Sequence, residues 1–186
     1  MKRFVIIMLL IIISTVSWGQ KSIYLEGFGA SNTIGVNYDA RFSNAGNLGY
    51  RIGLGYSCGS DASSGFFWDI GQKVQGVSIP IGINWLCGHK NHFFEVGVGM
   101  NNGVYHAVAD FENVIGIVDG SIVVKPRVYE SGTRWGHYFF GDIGYRYQPV
   151  KGIMVRAGIN PSFSFGEKNR VTKYLLYPYI SVGWSF

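Results

Sequence analysis

The closing stretch of the chain, YLLYPYISVGWSF from Tyr174 to Phe186, limits the possible folds more than any other segment. Leu176, Pro178, Ile180, Val182, Trp184 and Phe186 share one parity, while Tyr177, Tyr179, Ser181, Gly183 and Ser185 share the other. A period of two belongs to a strand, and a large apolar face backed by a smaller, more polar one puts different surroundings on its two sides. A chain that stops inside such a strand needs a partner for its open edge. Pairing with the first strand supplies one and closes the sheet into a barrel.

The same alternation recurs upstream. It predicts strands over Ser22–Ala30, Thr33–Phe42, Leu48–Cys58, Val74–Cys87, His92–Asn102, His137–Tyr147 and Ile153–Pro161, which with the last makes eight. In Val74–Cys87, for example, Val77, Ile79, Ile81, Ile83 and Trp85 oppose Gly76, Ser78, Pro80, Gly82 and Asn84. The 27 glycines, 12 tyrosines and 13 phenylalanines, with only 15% charged residues, also favour sheet over helix. Across these strands every charged residue falls on the Gly-rich face. The connections are tight after the second, fourth and sixth strands and long after the third, fifth and seventh; only the first, around Ser31-Asn32, is short out of turn. An apolar outside, a polar inside and alternating loop lengths are the pattern of an eight-stranded antiparallel up-and-down transmembrane β-barrel.

Lys2 and Arg3 precede an apolar run from Phe4 to Ile13 and then the small-residue group Ser17-Trp18-Gly19. This order predicts a signal peptide over residues 1–19, cleaved before Gln20, with residues 20–186 forming one barrel domain. The run is short for a spanning helix, and no cysteine lies nearby for lipid attachment. Losing Lys2 and Arg3 lowers the formal charge from +5 to about +3, too little to indicate a nucleic-acid partner. Cys58 and Cys87 fall at opposite ends of neighbouring strands, far beyond the roughly 7 Å that a disulfide tolerates between Cα atoms, so free thiols are expected.

Three segments, the terminal YISVGWSF, VSIPIGINWLCGHKNHFFEVGVG and GDIGYRYQPVKG, resemble the small eight-stranded outer-membrane barrels of Gram-negative bacteria, of the OmpA/OmpX kind. The resemblance spans essentially the whole mature sequence. It implies integral insertion in the outer membrane, lipid around the barrel, and recognition of the C-terminal strand, through Tyr179, Trp184 and Phe186, by the assembly machinery. The two internal segments are similar to barrels without a verified activity, so the resemblance implies a location and not a reaction. Pro80 and Pro178 each remove a ladder donor, which predicts a bulge or an interfacial position.

Parity assigns Glu26, Asp39, Glu95 and Asp142 to the interior together with Arg41, Arg51, Arg146 and Arg156. Eight strands enclose a space that side chains can fill, and opposite charges packed there neutralise one another. A closed, ion-paired plug is one reading; a catalytic carboxylate pair or a narrow ion path is the other. The exclusive use of arginine favours the plug, since its planar fork suits bidentate pairing. His106 and His137 fall near the outer rim, where a lipid A-modifying enzyme would place its base, but no nucleophile motif accompanies them. The histidines lack metal-ligand spacing, and no cofactor is expected.

The loops hold the remaining candidates. Phe66, Phe67 and Trp68 are consecutive aromatics for a partner or for the headgroup belt. Asp119-Gly120, between two β-branched runs, signals a two-residue hairpin that continues the fifth and sixth strands outward. Its edge suits strand addition by an extracellular partner, and Lys125 and Arg127 on the return arm suit anionic headgroups. With the chain ending at Phe186, no C-terminal module for gripping the cell wall is expected. A soluble lipocalin-like barrel and a small channel are the alternatives. The first requires an apolar interior and a hydrated exterior, the reverse of this distribution.

Overall fold

The computed structural model describes residues 19–43, 46–58, 73–108, 111–118, 121–128, 132–163 and 176–186. Ten strands run in chain order: β1 (Lys21–Phe28), β2 (Ile34–Arg41), β3 (Leu48–Cys58), β4 (Lys73–His89), β5 (His92–Val108), β6 (Phe111–Val118), β7 (Ser121–Val128), β8 (Gly132–Tyr147), β9 (Gly152–Phe163) and β10 (Leu176–Ser185). Eight of them close into an antiparallel barrel in the order β1-β10-β9-β8-β5-β4-β3-β2, while β6 and β7 pair only with each other. The seam is the pairing expected of the last strand. β10 meets β1 from Ser22↔Ser185 to Phe28↔Tyr179, and the backbones of Lys21 and Phe186 exchange hydrogen bonds of 3.2 and 2.9 Å.

Period-2 parity sorts the side chains. Leu54, Val98 and Ile180 lie on the outside, each at least 60% exposed, whereas Tyr24, Arg51, Phe140, Arg146, Met154 and Arg156 are buried inside. Gln75 to Trp85 on β4 brackets an outward run of Val77, Ile79, Ile81 and Ile83. At ~3.3 Å per residue and a tilt of ~40°, the stretch from Gln75 to Trp85 rises about 25 Å along the barrel axis, the height of a membrane-spanning apolar band. Lys21 and Lys73 are the first residues of β1 and β4 and lie outside the boundaries that the sequence pattern marks. Cys58 and Cys87 are free and exposed.

Three features refine the sequence reading. First, β5 runs to Val108 and β8 starts at Gly132, paired as far as Ala107↔Gly132, so these two strands continue outward past Asn102 and before His137 in the way the hairpin signal implied. Second, the prolines cause no register shift. β3 and β4 keep one register on both sides of Pro80, from Ile52↔Ile81 to Gly55↔Ser78. Pro178 pairs with Ile159 of β9, one residue beyond the end of the β1 ladder, where no donor is required. Third, the first connection is no simple turn. A single 3-10 turn, Gly29–Ser31, folds back into the barrel with Ala30, Ser31 and Asn32 buried.

Candidate functional site

The lumen is built in three tiers. Nearest the chain termini, Ser22, Arg41, Asn84, Leu86, Gln148, Met154 and Ser185 are buried. Arg41 Nη1 donates to the carbonyl of Asn47 in the β2–β3 turn at 3.0 Å, so the guanidinium closes the turn end from within.

The middle tier holds the charges. Arg146 grips both oxygens of Asp39 at 3.0 Å and reaches Glu95 through Nε at 3.0 Å and Nη2 at 2.9 Å. Arg156 touches three carboxylates: Glu95 through Nε at 2.8 Å, Glu26 through Nη1 at 3.1 Å and Asp142 through Nη2 at 2.8 Å. Arg51 Nη1 lies 3.2 Å from both Glu26 and Asp142, and Arg41 pairs with Asp39. The contacts therefore form one unbroken chain, Arg41–Asp39–Arg146–Glu95–Arg156, which branches to Glu26 and Asp142 and ends on Arg51. Aromatic rings sheathe it. Arg156 lies between Tyr24 and Tyr179, 4.8 and 4.9 Å from the ring centroids, and Arg51 stacks 4.7 Å over Phe140.

The third tier is the inward turn. Glu26 Oε1 accepts from the Ser31 backbone N–H at 3.1 Å and its hydroxyl at 2.8 Å, which ties the charged tier to the cap. The N–H of Ala30 donates to Asn160 Oδ1 at 2.9 Å, and its carbonyl accepts from Asn101 Nδ2 at 2.6 Å and the Tyr138 hydroxyl at 3.1 Å. Asn32 Nδ2 donates to Ser78 Oγ at 3.1 Å and the Tyr105 hydroxyl at 3.3 Å. The reversal needs positive φ at three of its residues: Phe28 at 63°, Gly29 at 60° and, past the turn, Asn32 at 65°. The positive φ at Phe28 also turns that ring outward. Gly29 is obligatory in this arrangement. An added Cβ would approach Asn160 Oδ1 and Tyr179 Cβ to 2.5 and 2.6 Å, and the φ itself disfavours L side chains.

The structure thus brings all eight charged interior candidates into one cluster. The remaining sequence candidates are dispersed. Tyr179 is buried against Arg156, while Trp184 and Phe186 are half-exposed on the outer surface near the seam. Phe66, Phe67, Trp68, Asp119 and Gly120 lie outside the described residues. Lys125 and Arg127 are on β7, in register with Val114 and Glu112 of β6, and the ladder ends on Val118↔Ser121 around residues 119–120. His106 Nδ1 is 3.1 Å from Thr133 Oγ1, a neighbour it meets directly in the β5–β8 register. His137 lies edge-on to Phe139. Sequence reasoning missed the cap residues Asn32, Asn101, Tyr138 and Asn160. The available signal was polar side chains on the luminal parity beside a connection too short for its place in the loop pattern.

No family model matches the sequence, and no curated protein matches it. Among solved structures, the N-terminal β-barrel domain of Pseudomonas aeruginosa OprF superimposes with a TM-score of 0.53 at 10% identity, covering 90% of this chain and 96% of that one. The attachment invasion locus protein Ail of Yersinia pestis gives a TM-score of 0.45 at 11% identity, covering 90% and 99%. Neisserial surface protein A gives 0.44 at 13%, covering 89% and 93%. The fold is that of an eight-stranded antiparallel outer-membrane-type barrel.

Proposed function

We propose that the chain is an integral outer-membrane protein, exported by a leader over residues 1–19, with a lumen closed to solutes and a non-catalytic role exercised through its long connections. The observation that carries this reading is the inverted distribution of polarity. Ile81 and Ile83 are about half-exposed on the outer surface, while Asp39, Glu95, Arg146 and Arg156 are fully buried within. A water-soluble ligand-binding barrel requires the opposite arrangement. In hydrocarbon, the outer face costs nothing to expose and the closed ladder satisfies every backbone group between strands.

Chain direction follows from the lengths of the connections. The end with the tight β2–β3, β4–β5 and β8–β9 turns faces the periplasm, and the long connections, with the β6–β7 hairpin, face outward. That hairpin carries both its own edges, so an extracellular partner adding a strand is the interaction this reading assigns to it. Aromatic residues Tyr179, Trp184 and Phe186 serve as the strand presented to the assembly machinery.

The test is gel mobility of the membrane-fraction protein in SDS, boiled against unboiled. A barrel shifts on heating because its closed ladder resists SDS until melted. A soluble protein without a heat-dependent shift would overturn the proposal.

A further inference from the structure

The acidic residues outside the lumen are confined to one end. Every acidic residue beyond the four luminal ones lies in the segments joining β3 to β4, β5 to β8 and β9 to β10. The turns at the opposite end carry His89, Lys90 and Lys151, with His92 opening β5, and none of these four has a carboxylate in its turn. All four are exposed, apart from the apolar band itself.

They also form one patch. The β4–β5 turn places His89 opposite His92, and Lys90 at its tip takes a left-handed φ of 59°. The Gln148 N–H donates to the Asn91 carbonyl at 2.8 Å, which ties the β8–β9 turn bearing Lys151 to the turn bearing Lys90. His92 is fixed in place: Nδ1 lies 2.6 Å from the Tyr145 hydroxyl, and its ring packs 5.2 Å from Tyr147. The ring's other nitrogen, Nε2, is left available to a ligand. Trp85, Phe94 and Tyr145, all about half-exposed on the same outward parity, set the level of this patch at the edge of the apolar band. Aromatics at that level mark the headgroup region.

We infer that this rim is a binding site for an anionic phospholipid of the inner leaflet, with the headgroup phosphate between Lys90, Lys151 and His92 and the acyl chains along Trp85 and Phe94. The inference rests on the membrane orientation proposed above. Phosphate recognition follows from the donor set: two ammonium groups and an oriented imidazole, with no competing carboxylate. The lipid source follows from position, since the donors border a surface that only acyl chains can cover in a bilayer.

The experiment is native mass spectrometry of the full-length barrel released from nanodiscs of mixed phosphatidylglycerol and phosphatidylcholine, alongside a heat-shift gel of the same sample. Phosphatidylglycerol is expected to be retained in preference. At roughly fivefold per lysine, Lys90→Ala with Lys151→Ala should lower that preference about 25-fold. His92→Phe, which keeps a ring against Tyr147, should lower it as well. Equal retention of the two lipids by a heat-shifting barrel overturns the lipid site alone. Displacement of phosphatidylglycerol by inorganic phosphate overturns it too, by showing a simple anion site. Absence of the heat shift overturns the membrane reading and the lipid site with it.

Discussion

Arg146 and Arg156 face each other directly across the β8–β9 ladder, a placement that is destabilising unless something stands between the two charges. Glu95 does so, since its Oε2 accepts from Nε of both arginines, at 3.0 and 2.8 Å. Glu95 is thus the member whose loss leaves two guanidinium groups opposed in a dry interior. Glu95→Gln is expected to cost about 3–5 kcal/mol, measured as a lowered urea midpoint for the folded barrel. Asp142→Asn should cost less, because Arg51 and Arg156 both retain Glu26. An unchanged midpoint for Glu95→Gln would remove it from the network. Glycines take part at this scale wherever a ring lies flat on the wall. A Cβ on Gly103 would come within 2.6 Å of the Tyr105 ring, so the ring that supports Asn32 requires a bare backbone beneath it.

Among the elements, the β1–β2 connection departs furthest from its local sequence. Its residues fold inward because donors and acceptors on four other strands, at Ser78, Asn101, Tyr138 and Asn160, meet its backbone and side chains. Gly29→Val places a β-branched residue at a φ of +60° and against Asn160. The expected cost is about 1–3 kcal/mol with the heat shift retained, since the ladder itself is untouched. A gain in stability would show that the cap is not held by this geometry. The prolines illustrate how an element absorbs a missing donor. Asn160 Nδ2 donates at 2.7 Å to the carbonyl of Gly141, beside Pro161, which has no N–H to give. On β4, Ile81 is one of the two outward residues flanking the midpoint between Gln75 and Trp85, and Ile81→Arg should cost about 2–4 kcal/mol in a bilayer. A cost near zero for refolding into lipid vesicles would contradict the facing of β4.

For the whole molecule, the closed lumen proposed above is supported by contacts at three levels. Arg41 reaches the turn end, the ion-paired chain fills the middle and the inward turn covers the other end. Planar-bilayer recordings of the purified barrel are expected to show a baseline without ohmic steps. Regular steps in the wild-type protein would contradict a closed lumen. The network is also buried from end to end, so its contribution should change little between low and moderate salt, unlike that of a surface cluster.

Much of this architecture is legible in the sequence because a strand's side-chain period is two and cannot drift. Alternation alone separates the outward face of β4 from its inward face, puts Glu26, Asp39, Glu95 and Asp142 on the same side as the four arginines, and pairs a terminal aromatic strand with the first. Parity does not say which carboxylate meets which guanidinium. Those pairings join residues as distant as Glu26 and Arg156, and they follow from the stagger of eight strands around a closed ring. The cap was hidden for the same reason. Nothing in Gly29-Ala30-Ser31-Asn32 dictates an inward path; it follows from partners contributed by β4, β5, β8 and β9. Within the regular strands local sequence determined which way the side chains point, and closure of the barrel decided what each one meets.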